Sequence, residues 1–176
     1  NFNGDMKAED SAPLIFWAWS RQFVRAVFID ELGGPAVYER VLGARSFRDA
    51  LEGVLERNDA WWCDDKTTAD KAETCEQMSN VALTRALDEL QQRFGADMSA
   101  WRWGDAHVAR SEHRPFSRVK VLAPLFEVRV PTGGDSYTLN VGRVSVKPDA
   151  TTGELYLNEH AASMRAIYDL GDLSQS

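Results

Sequence analysis

The spacing of apolar residues changes once along this chain, and that change limits what it can fold into. Up to Phe94 they recur at three and four positions, the period of a helix face; from Val119 onward they alternate, the period of a strand. Phe16, Trp19, Phe23 and Val27 follow Asp10–Ser11–Ala12–Pro13, which offers N-cap residues and a proline suited to a first turn. Trp17, Val24 and Phe28 widen the apolar surface of the same helix, so burial on more than one side is expected. Leu32–Gly33–Gly34–Pro35 ends it. A short helix is predicted near Ala36–Leu42, and another from Ser46 to Arg57 with Phe47, Leu51, Val54 and Leu55 facing inward. The clearest helix is predicted from Lys71 to Phe94, with Leu83, Leu87, Leu90 and Phe94 as its core stripe and Gly95 as its stop.

In the second half, Phe126, Val128 and Val130 alternate with Glu127 and Arg129, and Pro131–Asp135 makes a turn. Tyr137, Leu139 and Val141 then alternate with Thr138 and Asn140, which predicts a hairpin that Val144 and Val146 prolong. Leu155 and Leu157 read as a short strand after the turn Pro148–Gly153, and Ser163–Leu170 as a last strand. The expected class is α+β, mainly helical over 1–115 and mainly antiparallel β over 116–176. The seam at 114–119 is a change of structure type within one piece, not a boundary between independent domains. The helices carry more apolar surface than so small a sheet can cover. The chain also starts at Asn1 without a signal peptide, so it is expected to be a segment of something longer. Taken alone, such a segment is expected to self-associate through uncovered edges and faces.

A length of 176 residues with 44% hydrophobic side chains is enough for a real core. The net charge of −7, with Lys and Arg scattered, speaks against nucleic acid as a partner. No apolar run reaches the roughly 20 residues of a membrane span; Pro13–Trp19 is cut short by Arg21 and Arg25.

The residues with chemical potential concentrate in WRWGDAHVARSEH, residues 101–113, which holds two of the three histidines. A metal site there would use His107 and His113 with Asp105 or Glu112. The spacing H-x5-H suits one helix face poorly, and a histidine beside tryptophans is more often a hydrogen-bonded packing residue. For nucleophilic catalysis, Ser99, Ser111 and Ser117 lack a G-x-S-x-G context, and Cys63 sits in WWCDD, where carboxylates would raise its pKa. Gly33–Gly34 and Gly133–Gly134 lack the spacing and lysine of a phosphate loop and read as turns; Asp64–Asp65 reads as a solvated loop pair. Without a CxxC motif or nearby histidines, Cys63 and Cys75 do not suggest zinc; the spacing fits two buried thiols or a disulfide closing a polar loop.

Five stretches in order carry a resemblance: FNGDMKAEDSAPLIFWAW, then WC…C, WRWGDAHVARSEHRPFS, PTGGDSYTLNVGR and HAASMRAIYDLGDLSQS. Over nearly the whole length the chain resembles the later part of the β chain of the penicillin acylase family, especially its branch that cleaves N-acyl-homoserine lactones. W-x-W-G-x-x-H-x5-H and S-M-R-A-I-Y-D-L are its most specific pieces. The resemblance implies an N-terminal-nucleophile hydrolase with an αββα core, exported to the periplasm as a zymogen that cuts itself into α and β chains. A serine at the start of the β chain then attacks an amide carbonyl, with its own α-amino group as base; an asparagine and backbone N–H groups hold the oxyanion.

This chain starts with Asn1, so none of those residues is carried onto it. The resemblance places the nucleophile, the oxyanion asparagine and the calcium ligands upstream, and a Gly-Gln-Ser-Gly stretch downstream. It leaves this segment as framework, with no catalytic, cofactor or metal residue of its own and calcium only in the longer protein. Its partners would be the α chain and the rest of the β chain. Trp101, Trp103, Gly104, His107, His113 and Arg165 are then a structural signature, the histidines fixing a loop by hydrogen bonds. A periplasmic relative can also oxidise Cys63 and Cys75 to a disulfide. The competing readings are a non-catalytic periplasmic interaction module and a small metallohydrolase using His107 and His113.

Overall fold

The computed structural model describes residues 2–42, 46–161 and 171, the side chains of 46–48 and 161 excepted. Ser163–Leu170, with Arg165, and the side chain of Phe47 therefore lie outside the described residues.

Helix α1 (Ala12–Phe28) begins with Pro13 in its first turn and buries Leu14, Trp17, Phe23, Val24, Val27 and Phe28, on more than one side as its pattern requires. It ends ahead of Gly33–Gly34; Gly34 has φ +107° and donates its N–H to the carbonyl of Ile29 at 2.8 Å. Helices α2 (Pro35–Val41), α3 (Ser46–Glu56) and α4 (Ala60–Cys63) follow, with Leu51 and Val54 buried and Leu55 exposed.

Helix α5 (Cys75–Phe94) packs along α1 and starts four positions later than the expected Lys71. The reason is a capping box: Thr74 Oγ accepts from Gln77 N–H at 3.2 Å, and Gln77 Oε1 accepts from Thr74 N–H at 2.9 Å. Of the expected stripe, Leu90 is buried and Leu87 and Phe94 pack partly buried against the core, but Leu83 departs from it. Cys75, Met78, Ala82, Ala86 and Leu90 are buried, while Leu83 is exposed. Two alanines on one face let the α1 backbone come close, so side-chain size decides the contact over hydrophobicity.

Helix α6 (Trp103–Ala106) leads into strand β1 (Val108–Ser111), and α7 (Ala123–Phe126) into β2 (Val128–Pro131); β3 (Gly142–Val144) and β4 (Asn158–Ala161) complete a four-stranded sheet in the order β2-β1-β4-β3. The predicted hairpin is not there. Val128–Pro131 pairs antiparallel with Ser111–Val108, a strand from the mainly helical region, and Phe126 ends a helical turn. Residues 137–141 form no strand, because Asp135 organises them into a turn. Its Oδ1 accepts from the N–H groups of Tyr137 and Thr138 at 2.8 and 2.9 Å, and its own N–H donates to Thr138 Oγ at 2.8 Å. β3 pairs antiparallel with β4, with an irregularity between Gly142 and Val144, whereas β1 and β4 run parallel, so the sheet is mixed and not wholly antiparallel.

Leu155 and Leu157 lie just before β4 and are buried. Between them Tyr156 has φ +66°, yet its N–H donates to Ser145 and Ser145 N–H donates to Leu157, so the backbone is still paired. Two apolar clusters result, one around Phe23, Tyr38, Val54 and Met78, the other around Leu14, Leu90, Trp101, Trp103 and Tyr156. Among the described residues no helix is long and apolar enough to cross a membrane.

Candidate functional site

The segment 101–113 folds as a clasp. Trp101 and Trp103 are buried, and each indole N–H donates to a backbone carbonyl: Trp101 to Gly95 and Trp103 to Gly134, both at 2.9 Å. Backbone bonds from Trp103 N–H to Asp10 and Gly104 N–H to Ala8, both 2.8 Å, draw the N-terminal stretch across the same place. Gly104 packs closely there. A Cβ would stand 3.0 Å from both Ala8 Cβ and Pro131 Cβ.

His107 is fully buried at the end of α6. Its carbonyl accepts from Thr132 N–H at 3.0 Å and Thr132 Oγ at 2.6 Å, and its ring lies on the Trp103 indole with centroids 4.5 Å apart. Nδ1 is 2.7 Å from the Tyr156 carbonyl. A carbonyl only accepts, so Nδ1 carries the proton and Nε2 is bare. Among the described residues Nε2 has no hydrogen-bond partner, and it faces Gly142, where a Cβ would lie 2.8 Å from it. Burial holds the imidazole pKa below its ordinary value, partly opposed by the bond to Tyr156 and the charge of Asp135.

His113 is in a different environment. It is exposed, its ring stacks on Phe116 at 5.0 Å and tilts against Phe126 at 5.5 Å, and its backbone N–H donates to Ser117 Oγ. Its carbonyl accepts from the Ser117 N–H at 2.8 Å, so His113 holds this loop through its backbone while its ring stacks. Asp105 is exposed and Glu112 accepts from Arg110 at 3.1 Å, so the proposed ligand set is dispersed. Among the described residues no three His, Cys, Asp or Glu side chains are grouped to hold a metal.

Sequence reasoning missed the polar knot beneath the clasp. Glu89 on α5 accepts from Arg21 at 2.8 Å, from Gln22 at 2.6 Å and from the Tyr156 hydroxyl at 3.2 Å. Burial, with the Glu89 charge beside it, pushes the Tyr156 phenol well above its usual range. Only the helical register of Arg21 and Gln22 against Glu89 could have hinted at this, and the register of two helices is a tertiary property.

Cys63 and Cys75 form a disulfide with Cα atoms 4.8 Å apart. The loop it closes is ordered by its acids, so the reading of Asp64–Asp65 as merely solvated is corrected. Asp64 Oδ1 accepts from Glu73 N–H, Asp65 N–H donates to Glu73 Oε2, and Thr67 holds the Asp65 carboxyl below its usual range.

Among the described residues the chain is an α+β framework tied by indoles and an imidazole to backbone carbonyls, and comparison with known sequences places it. The Penicillin amidase family matches over residues 1–176, and the chain belongs to that family. It is similar to "Acyl-homoserine lactone acylase QuiP" of Pseudomonas aeruginosa (strain PAO1), at 28% identity over 97% of this chain and 21% of that protein. It is also similar to "Acyl-homoserine lactone acylase QuiP" of Pseudomonas syringae pv. syringae (strain B728a), at 27% identity over 80% of this chain and 18% of the relative. The chain thus spans about a fifth of the length of the curated relatives it matches.

Proposed function

We propose that this chain is the framework segment of an amidohydrolase that cleaves acyl amides of the penicillin or acyl-homoserine-lactone type. The catalytic N-terminal serine lies outside the segment. The observation that carries the framework assignment is where the signature side chains send their hydrogen bonds: Trp101, Trp103 and His107 all bond to backbone carbonyls. Groups engaged in this way position chain segments. The whole-chain family match and the names of the two relatives support the acyl amide chemistry. The same reading includes export to the periplasm, maturation from a zymogen, calcium in the longer protein, and contact with an α chain and the rest of a β chain. The disulfide supports an oxidising compartment. If the enzyme meets acyl-homoserine lactones outside the cytoplasm, its action quenches quorum signals.

The test is to assay this chain and the longer protein containing it on a chromogenic phenylacetyl amide and on a long-chain acyl-homoserine lactone. Turnover by the longer protein alone is expected. Comparable turnover by this chain alone would refute the framework assignment.

A further inference from the structure

A cleft of about 430 Å³ opens between the C-terminal end of α1, the start of α2, the disulfide-closed loop and α5. That volume falls in the range of roughly 300–1,000 Å³ found for small-molecule sites. Ala26, Ile29, Pro35 and Met78 line it with apolar side chains, and the two arginines Arg25 and Arg85 line it as well. Asp30 and Asp65 also line it, but three of their four oxygens already accept hydrogen bonds. Asp30 accepts from Glu31 N–H and Lys66 N–H, and Asp65 Oδ1 accepts from the N–H and hydroxyl of Thr67.

The arginines are less committed. Among the described residues Arg25 meets Glu39 at 3.7 Å and the Tyr38 ring at 5.9 Å, in a pair exposed enough to hold weakly. Arg85 lends its charge to Asp65 but makes no hydrogen bond or close ion pair to a described residue, so its five N–H donors are available. The walls are preorganised. The loop is closed by Cys63–Cys75 and tied to the end of α1 by Lys66, through Asp30 at 2.9 Å and an ion pair with Glu31.

We propose that this cleft binds a small monocarboxylate with a short apolar tail, its carboxylate on the Arg85 and Arg25 guanidinium groups and its tail against Ile29, Pro35 and Met78. The chemistry selects an anion, because the free hydrogen-bonding capacity consists of donors while the acidic oxygens are largely engaged. The apolar walls select a tail over a bare ion.

The test is a titration of the isotope-labelled protein with sodium hexanoate, 1-hexanol and hexylammonium chloride, following the Arg85 Nε–Hε and Met78 methyl signals. Hexanoate is expected to saturate both signals, hexylammonium to move neither, and hexanol to bind at least about tenfold more weakly. Arg85→Met, which keeps the aliphatic stem, is expected to weaken hexanoate by about tenfold or more with the fold unchanged. Absence of saturable shifts, equal affinity for hexanol, or full affinity in Arg85→Met would overturn the proposal. Should Arg85→Met not fold, added sodium chloride decides with the native protein: weakening supports the site, and salt-independent binding overturns it.

Discussion

The His107 imidazole stacks on the Trp103 indole at 4.5 Å and donates its Nδ1 proton to the Tyr156 carbonyl, leaving a bare Nε2 sealed inside the protein. This joins α6 to the segment before β4, the two parts of the chain that the sheet must bring side by side. The neutral ring is therefore a condition of the fold.

Protonating Nε2 would bury a charge with no acceptor among the described residues, and burial holds the folded-state pKa below the ordinary 6.5. The unfolded chain then binds more protons below that value, so stability rises with pH. This contribution is fully present above the unfolded pKa and is lost as pH falls through it towards the folded value. Urea unfolding at a series of pH values is expected to show a falling midpoint on acidification. In His107→Gln the slope in this window should flatten; an unchanged slope would assign it to other groups.

Two glycines separate contact from conformation. A Cβ on Gly133 would lie 2.7 Å from the Met6 carbonyl oxygen, a backbone atom that cannot swing away. Gly133→Ala is expected to cost about 2–3 kcal/mol, as overpacking does. Gly153 has φ +70° and open space around it, so Gly153→Ala should cost only about 1 kcal/mol from backbone strain. Chemical denaturation of both variants checks the order.

On α5, the face assignment predicts opposite outcomes for a large and a small residue. Ala86 is fully buried and Leu83 is exposed. Ala86→Leu should push α1 and α5 apart at a cost of about 1–3 kcal/mol or more. Leu83→Ala should change stability by less than about 0.5 kcal/mol. A larger loss in Leu83→Ala would restore the stripe read from hydrophobicity.

Reducing the Cys63–Cys75 bridge frees a loop with a sequence separation of 12. Loop-closure entropy puts the loss at about 3 kcal/mol. Thermal unfolding with and without reductant measures it, and the double variant Cys63→Ala/Cys75→Ala should be insensitive to reductant.

Much of the helical half was legible because its signals are local. Pro13 opens α1, Gly33–Gly34 closes it, and the apolar girth of Phe16–Phe28 foretold burial on several sides. The start of α5 carries a local signal in Thr74 and Gln77, although the helix was expected from Lys71. The β half was read less well. Alternation at 126–130 and 137–141 looked like a hairpin, yet β2 pairs with β1 across intervening chain, since Asp135 consumes the backbone donors that residues 137 and 138 would offer a ladder. In the candidate site, the packing role of His107 followed from its neighbours in sequence, whereas Tyr156 at φ +66° reads locally as an ordinary strand residue.

Local stereochemistry and periodicity were enough to specify an α+β chain and its main helix ends, because capping, turns and amphipathic faces depend on residues a few positions apart. Strand partners, the face α5 presents to α1, the knot at Glu89 and the cleft between Arg25 and Arg85 came only with the packed molecule. Each depends on groups tens of residues apart, whose meeting is set by which surfaces exclude water together and which polar atoms are left to find partners.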